Sequence, residues 1–306
     1  MRVMVTGASG FVGKALCSAL LLKAIPITRV NRAPDTLASV VVGDMDGTTD
    51  WSLALQQCTV VVHLAARVHV MNDTAPDPLA AYRRTNVDGT MALARQAAAA
   101  GVRRFIFISS VKVNGESSPQ GQPFLADDVP APQDPYGRSK MEAEQGLRQL
   151  AAHTGLQVVI IRPPLVYGPG VGANFAALLR AVRRGLPLPL GAIHNQRSLV
   201  ALDNLVDLII TCVTHPAAAN QTLLVSDGQD LSTAELVRAL AQAAGVRVYL
   251  PKVPARLLLA AASLLGKRDV VSRLCSSLQV DISKTRCLLA WAPPLSVPEG
   301  LRRAVG

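Results

Sequence analysis

The chain has 306 residues, half of them hydrophobic and 17% charged: enough apolar material for a large buried core and too little polarity for a disordered chain. A formal charge of +10 suits an anionic small molecule; with aromatics at 4% and no nucleic-acid motif, binding to DNA or RNA is not expected. Cys17, Cys58, Cys212, Cys275 and Cys287 form no CxxC pair, which argues against a zinc ribbon or a disulfide framework and for small buried thiols in a reducing compartment.

In chain order, the N-terminus enters a strand at Arg2–Thr6, leaving no room for a signal peptide. A helix is expected over Phe11–Lys23, then strands at Pro26–Asn31, Ser39–Gly43 and Val60–Leu64. Helix Tyr82–Ala100, strand Phe105–Ser109, helix Pro135–His153 and strand Gln157–Ile161 follow. Short β-branched runs alternating with longer Ala/Leu-rich segments predict an α/β fold, a doubly wound parallel sheet of the Rossmann type. After Arg162-Pro-Pro and Tyr167-Gly-Pro-Gly the texture changes. A helix is expected over Asn174–Arg184, and strands at Ser198–Leu202 and Thr222–Ser226 are expected to return to the same sheet. Ser232-Thr-Ala-Glu235 reads as a capping box, with Gly245 closing its helix. The expected division is therefore a dinucleotide-binding domain over 1–165, rejoined by 198–226, and a smaller substrate-binding C-terminal lobe from 166–197 and 227–306. The apolar run Leu257–Leu265 is too short to cross a bilayer, and a cytoplasmic protein without a transmembrane segment is expected.

Thr6-Gly-Ala-Ser-Gly-Phe-Val-Gly13 links the first strand to the first helix. Its glycines Gly7, Gly10 and Gly13 suit a tight turn, close approach of a pyrophosphate and helix–strand packing, with free N–H groups at the helix start facing the phosphates. An acidic residue at the end of the second strand would hold a ribose 2′-hydroxyl and repel a 2′-phosphate; Asn31-Arg32 stands there instead, which favours NADP(H) and leaves NAD(H) open. Asp44, after the third strand, is placed to meet the adenine edge. Small residues in His63-Leu64-Ala65-Ala66 leave room for a cofactor across the sheet, with His63 itself read as a packed strand residue. The histidines lack ligand-like spacing, so no metal is expected.

Tyr136-Gly-Arg-Ser-Lys140 is the most informative stretch. Asp134 suits an N-cap and Pro135 the first helical position, which puts Tyr136 and Lys140 on one face. A lysine ammonium and the helix N-terminus are expected to lower the tyrosine's pKa and let it exchange a proton near neutrality. Ser110, at the carboxyl end of the preceding strand, is expected to face the same crevice and bind the reacting oxygen.

These motifs, together with HLAA at 63–66, TNVDGT at 85–90, SSVKVNGE at 109–116, RPPLVYGPG at 162–170 and RSLVALDN at 197–204, resemble the extended short-chain dehydrogenase/reductases, the NAD-dependent epimerase/dehydratase family. The likeness spans nearly the whole chain. It implies Tyr136 as acid/base, Lys140 as the group on the nicotinamide ribose and Ser110 as the substrate-oxygen contact. Cofactor contacts are implied at the glycine turn with Ser9, Phe11 and Val12, and at Met45, Asn86, Ser109 and Pro163. Substrate contacts are implied at Lys112, Asn174 and Arg197, the last on a sugar-nucleotide diphosphate. A homodimer packed through the Tyr82–Ala100 and Pro135–His153 helices is implied as well.

Departures narrow the chemistry. The family's 4,6-dehydratases carry Asp-Glu after the active-site hydroxyl residue; Val111 and Lys112 stand here, which argues against dehydration. Leu165 replaces an Asn common after Arg-Pro-x. The leading expectation is reduction of the C4 ketone of a UDP-4-keto-6-deoxy-N-acetylhexosamine for surface polysaccharide. UDP-hexose 4-epimerisation by the same residues is the alternative, and a non-catalytic dinucleotide sensor a second one.

Overall fold

The computed structural model describes residues 1–68, 76–264, 266 and 268–306. One parallel sheet of seven strands runs through it in the order β3-β2-β1-β4-β5-β6-β9. These are β1 Val3–Thr6, β2 Ile27–Asn31, β3 Val40–Val41, β4 Val60–His63, β5 Arg104–Ile108, β6 Gln157–Arg162 and β9 Thr222–Leu224. The strand order reverses between β1 and β4, opening a crevice at their carboxyl ends where ligands of such sheets bind.

Alternation along the strands divides the apolar core in two. Val3, Val5, Val60, Val62, Ile106 and Val159 face one side, against Leu16 and Leu20 of α1 (Phe11–Leu22) and, later in the chain, Leu205, Leu208 and Ile209 of α7 (Leu202–Thr214). Met4, Val61, Phe105, Phe107, Val158 and Ile160 face the other. That side is covered by α2 (Ser52–Leu55), α4 (Thr90–Ala99) and α5 (Pro135–Thr154), through residues such as Leu93 and Leu147. Burial on both faces is why these strands read as near-continuous apolar runs.

Beyond β6 the chain leaves the sheet. Pro163 and Pro164 cannot donate to a ladder, and the next strand, β7 (Leu165–Tyr167), pairs instead with β8 (Leu199–Ala201) as a separate two-stranded parallel sheet. The expectation that both late strands extend the main sheet therefore holds for β9 alone. A helical lobe follows: α6 (Ala173–Arg183), α8 (Thr233–Ala243) and α12 (Val297–Val305) enclose a third core containing Phe175, Leu179, Val237, Leu240 and Leu301. Ser232 and Glu235 form the expected capping box, and Gly245 follows the helix with φ +65°. The remaining lobe helices are α9 (Ala255–Leu264), α10 (Arg268–Cys275) and α11 (Ser283–Leu289). Leu265, at the end of the expected apolar run, lies outside the described residues. No described helix is long and apolar enough to cross a membrane.

Two elements differ from expectation near the crevice. The edge strand β3 keeps two residues rather than five, with Val41 46% exposed. The helix expected over 82–100 is three segments: α3 (Pro78–Arg83), a π-helical turn at Arg84–Gly89, and α4. Met45 lies 2.6 Å from where a Cβ on Gly89 would stand, and Asn86 in the same turn is bonded across to residue 67, so tertiary contacts have displaced the regular ladder.

Candidate active site

The glycine turn is shaped by close backbone approach. A Cβ on Gly7, whose φ is +64°, would lie 2.9 Å from Ala65 N, and one on Gly13 would lie 2.1 Å from Gly7 O. Gly10 is the N-cap of α1 and offers no side-chain cap, leaving the helix's first N–H groups, with Phe11 and Val12, directed out of the turn. From the second strand, Asn31 Oδ1 accepts from Ser9 N at 2.9 Å and fixes the turn; Asn31 is 2% exposed. The turn has the shape that a dinucleotide diphosphate would fit, and of its residues Ser9, Gly10 and Phe11 line the cavity beside it.

Past the ends of β2 and β3, Arg32 and Asp44 face each other at 3.7 Å with side chains 80% and 87% exposed, while Met45 is buried in the core below. Asp35, four residues after Asn31, is held by Arg29 at 2.8 Å. Along the floor, Thr6 Oγ1 accepts from Leu64 N and Ala65 N at 3.2 and 3.1 Å and meets His63 Nδ1 at 2.8 Å. His63 is fully buried, its other ring nitrogen meets Thr90 Oγ1 at 3.0 Å, and burial pushes its pKa down to about 3, so it is a neutral strut. Ala66 is half-buried beside them. Asn86 is occupied on both ends: Oδ1 accepts from Arg67 N at 2.8 Å, while Nδ2 donates to Arg67 O and Ser139 Oγ, both at 3.0 Å. It ties the floor to α5.

The residues expected to react lie where α5 begins and β5 ends. Asp134 caps α5 through Gly137 N at 2.6 Å, and Pro135 opens the helix, as its sequence demands. Lys140, one turn after Tyr136, is 2% exposed; Nζ donates to Ile108 O at 2.8 Å and stands 4.3 Å from the Phe107 ring centroid. Burial pushes the ammonium down to about 7, with Glu144 opposing. The Tyr136 phenol is raised rather than lowered, a correction to the sequence expectation. Desolvation is the main cause, then the Asp134 carboxylate and the neighbouring Tyr82, while contact with Ser110 pulls the other way. Ser110 is half-buried at the end of β5, where its Oγ accepts from Lys112 N at 3.2 Å.

Three expected site residues are engaged elsewhere. Ser109 Oγ donates to Glu144 Oε1 at 2.6 Å, away from Ser110 on the alternate face of the strand. Pro163 is buried and its carbonyl accepts from Val111 N at 3.0 Å, bracing the turn after Ser110. Lys112 Nζ is clamped between Asp134 at 2.5 Å and Glu116 at 2.8 Å, so its charge is neutralised within the protein. In the lobe, Asn174 is exposed on the first turn of α6, and Arg197 Nη1 donates to Arg273 O at 2.8 Å and Ser276 O at 3.0 Å.

Sequence reasoning missed Glu144. Its carboxylate is fully buried and accepts from Ser109, from Arg162 Nε at 2.9 Å and Nη2 at 2.6 Å, and from Arg148 at 2.9 Å. It also missed Tyr82, whose ring meets that of Tyr136 edge-on at 6.0 Å. A glutamate one turn after Lys140 was the available signal for the first; nothing local announces the second.

Residues 3–225 match the model of the NAD dependent epimerase/dehydratase family. A UDP-glucose 4-epimerase of Vibrio cholerae is 51% identical, the alignment covering 98% of this chain and 93% of that protein. A GDP-6-deoxy-D-mannose reductase of Pseudomonas aeruginosa is 30% identical over 84% of this chain and 84% of its own. Among solved structures, MoeE5 in complex with UDP-glucuronic acid and NAD superposes with a TM-score of 0.79 at 26% identity, covering 100% of this chain and 98% of that one. The chain belongs to the NAD dependent epimerase/dehydratase family of extended short-chain dehydrogenase/reductases and is an enzyme.

Proposed function

We propose that the protein reduces the C4 ketone of a UDP-4-keto-6-deoxy-N-acetylhexosamine, with NADPH preferred, in cytoplasmic assembly of a surface polysaccharide precursor. The observation that carries the direction is the end of β2. Asn31 is turned inward to Ser9, Asp35 is held by Arg29, and the exposed Arg32 guanidinium, 3.7 Å from the equally exposed Asp44, is suited to a 2′-phosphate.

A nicotinamide dinucleotide, when bound, would supply the hydride for C4. Tyr136, kept as a phenol by its surroundings, donates its proton to O4, and Ser110 donates a hydrogen bond to the same oxygen as charge develops there. Lys140, projecting from α5 with its Nζ at the Ile108 carbonyl that ends β5, would hold the ribose hydroxyls. Arg197 and Asn174 are the lobe's contacts to the UDP diphosphate and the sugar; Lys112, already neutralised, orders the N-terminus of α5 through Asp134. We take the working unit as a homodimer through α4 and α5.

UDP-hexose 4-epimerisation is the second reading, favoured by the 51% identity to the Vibrio cholerae epimerase. One assay separates the two. Given the 4-keto sugar nucleotide, the enzyme should oxidise NADPH in step with substrate consumed. Interconversion of UDP-glucose and UDP-galactose at a comparable rate, with no NADPH consumed from the ketone, would replace the first reading by the second. Arg32→Asp should weaken NADPH relative to NADH by about tenfold to a hundredfold, the worth of a charged hydrogen bond.

A further inference from the structure

We propose that α9 is a docking element for an anionic lipid bilayer, holding the protein on a membrane surface. A helix inside a folded lobe ordinarily shows one apolar face, turned inward. α9 is apolar nearly all round: Ala255 and Leu258 pack against the lobe core and Ala262 is buried. A second stripe at i, i+3, i+4 and i+7 (Leu257, Ala260, Ala261 and Leu264) faces outward. Leu257 is 61% exposed and Leu264 90%, the latter higher than any other large apolar side chain among the described residues. Scattered exposed leucines need no explanation, but a continuous stripe on one helix does.

Charge decides the occupant. Lys252 and Arg256 on the approach to and first turn of α9, and Arg268 at the start of α10, are all exposed. Residues 244–268 contain no Asp or Glu. An apolar stripe framed by cations complements an anionic headgroup layer, where the leucines sink to the acyl boundary and the guanidinium groups stay among phosphates. A second copy of the chain fits poorly, because a two-fold contact through this stripe would bring the cations at its two ends, Arg256 and Arg268, close to those of the other copy. With ten residues α9 is about 15 Å long, half of what spanning needs, so it lies in the interface rather than crossing it. The following helix α10 is tied to the lobe at its far end, where Arg197 bonds the carbonyls of Arg273 and Ser276.

Sedimentation of the full chain with vesicles tests this. Vesicles of equal parts phosphatidylglycerol and phosphatidylcholine should carry the protein down, and phosphatidylcholine alone should not. Leu257→Asp with Leu264→Asp should reduce partition by about tenfold or more, and Arg256→Gln and Arg268→Gln by about fivefold each. All four positions are exposed, so circular dichroism and turnover on soluble substrate should be unchanged. The proposal is overturned if the wild-type chain stays in the supernatant with the anionic vesicles, or if the leucine pair leaves partition unaltered. It is also overturned if that pair converts a dimer to a monomer in gel filtration while partition stays as it was, since the stripe is then covered by a second copy.

Discussion

Replacing Glu144 by glutamine isolates one charge in the middle of the protein. The carboxylate and the Arg162 guanidinium are 0% and 1% exposed and share two hydrogen bonds, at 2.6 and 2.9 Å. Arg162 Nη1 continues to Asn114 Oδ1 at 3.1 Å, in the turn that follows Ser110. Glutamine keeps the shape, so no cavity opens, but Arg162 is left as a buried cation without a counter-charge. Breaking such a pair from one side costs about 3–5 kcal/mol. For a chain of this size about 2 °C is lost per kcal/mol, so Tm should fall by about 6–10 °C in differential scanning calorimetry. Glu144→Gln combined with Arg162→Met removes both charges and should recover part of that loss. The same carboxylate favours the charged form of Lys140 one turn away. Its removal should lower the Lys140 pKa from about 7, which NMR of labelled lysine side chains reads directly. A Tm within about 2 °C of wild type, the equivalent of 1 kcal/mol, together with an unmoved Lys140 titration would refute the reasoning, because either a relaxed site or an outside counter-charge would then be carrying the arginine.

Tyr136→Phe should cut turnover by about 10²–10⁴-fold while leaving dinucleotide affinity, read by fluorescence titration, within a few-fold of wild type. Gly13→Ala places a methyl 2.1 Å from Gly7 O, a backbone atom that cannot swing aside, and should cost about 1–3 kcal/mol in urea unfolding and weaken dinucleotide binding. His63 makes stability acid-sensitive. An unfolded imidazole takes up its proton below 6.5, whereas the buried one waits until about 3. The unfolded state therefore binds more protons in that window, and stability falls as pH drops through it, by about 4 kcal/mol at the bottom. A His63→Gln variant measured by urea melts at several pH values should lose that part of the slope.

What the sequence made legible was local. The glycine turn, the Asp134–Pro135 helix start and the Tyr136–Lys140 spacing are each fixed within a few residues, and all three stand as expected. The partners that give those groups their electrostatics come from far along the chain. Glu144 and Arg162 are brought together by α5 packing on β6, and Lys112 reaches Asp134 across 22 residues, which turned an expected substrate contact into a helix-terminus clamp. The Ser109 hydroxyl follows strand alternation: with Ser110 on the crevice side, its neighbour turns to Glu144 on α5. The placement of β8 was beyond such reasoning, because a three-residue strand carries no sign of which sheet edge will take it.

The same local–distant contrast governs the acid–base pair. Spacing alone suggests a lysine cation that depresses a tyrosine, yet the protein's own field raises Tyr136 and brings Lys140 down to about 7. Both shifts have one cause: burial at the carboxyl end of the sheet penalises a phenolate and an ammonium alike. Lys140 keeps a partial charge because Glu144 lies one turn beneath it; Tyr136 has a carboxylate, Asp134, as its charged neighbour, which works against ionisation. A phenol held in this way keeps its proton at neutral pH and parts with it only to a strongly basic oxygen, such as an alkoxide in the making. The field built by Asp134, Tyr82 and burial therefore holds the proton in place without choosing between reduction and oxidation, because the same phenol is the donor in one direction and its phenolate the acceptor in the other.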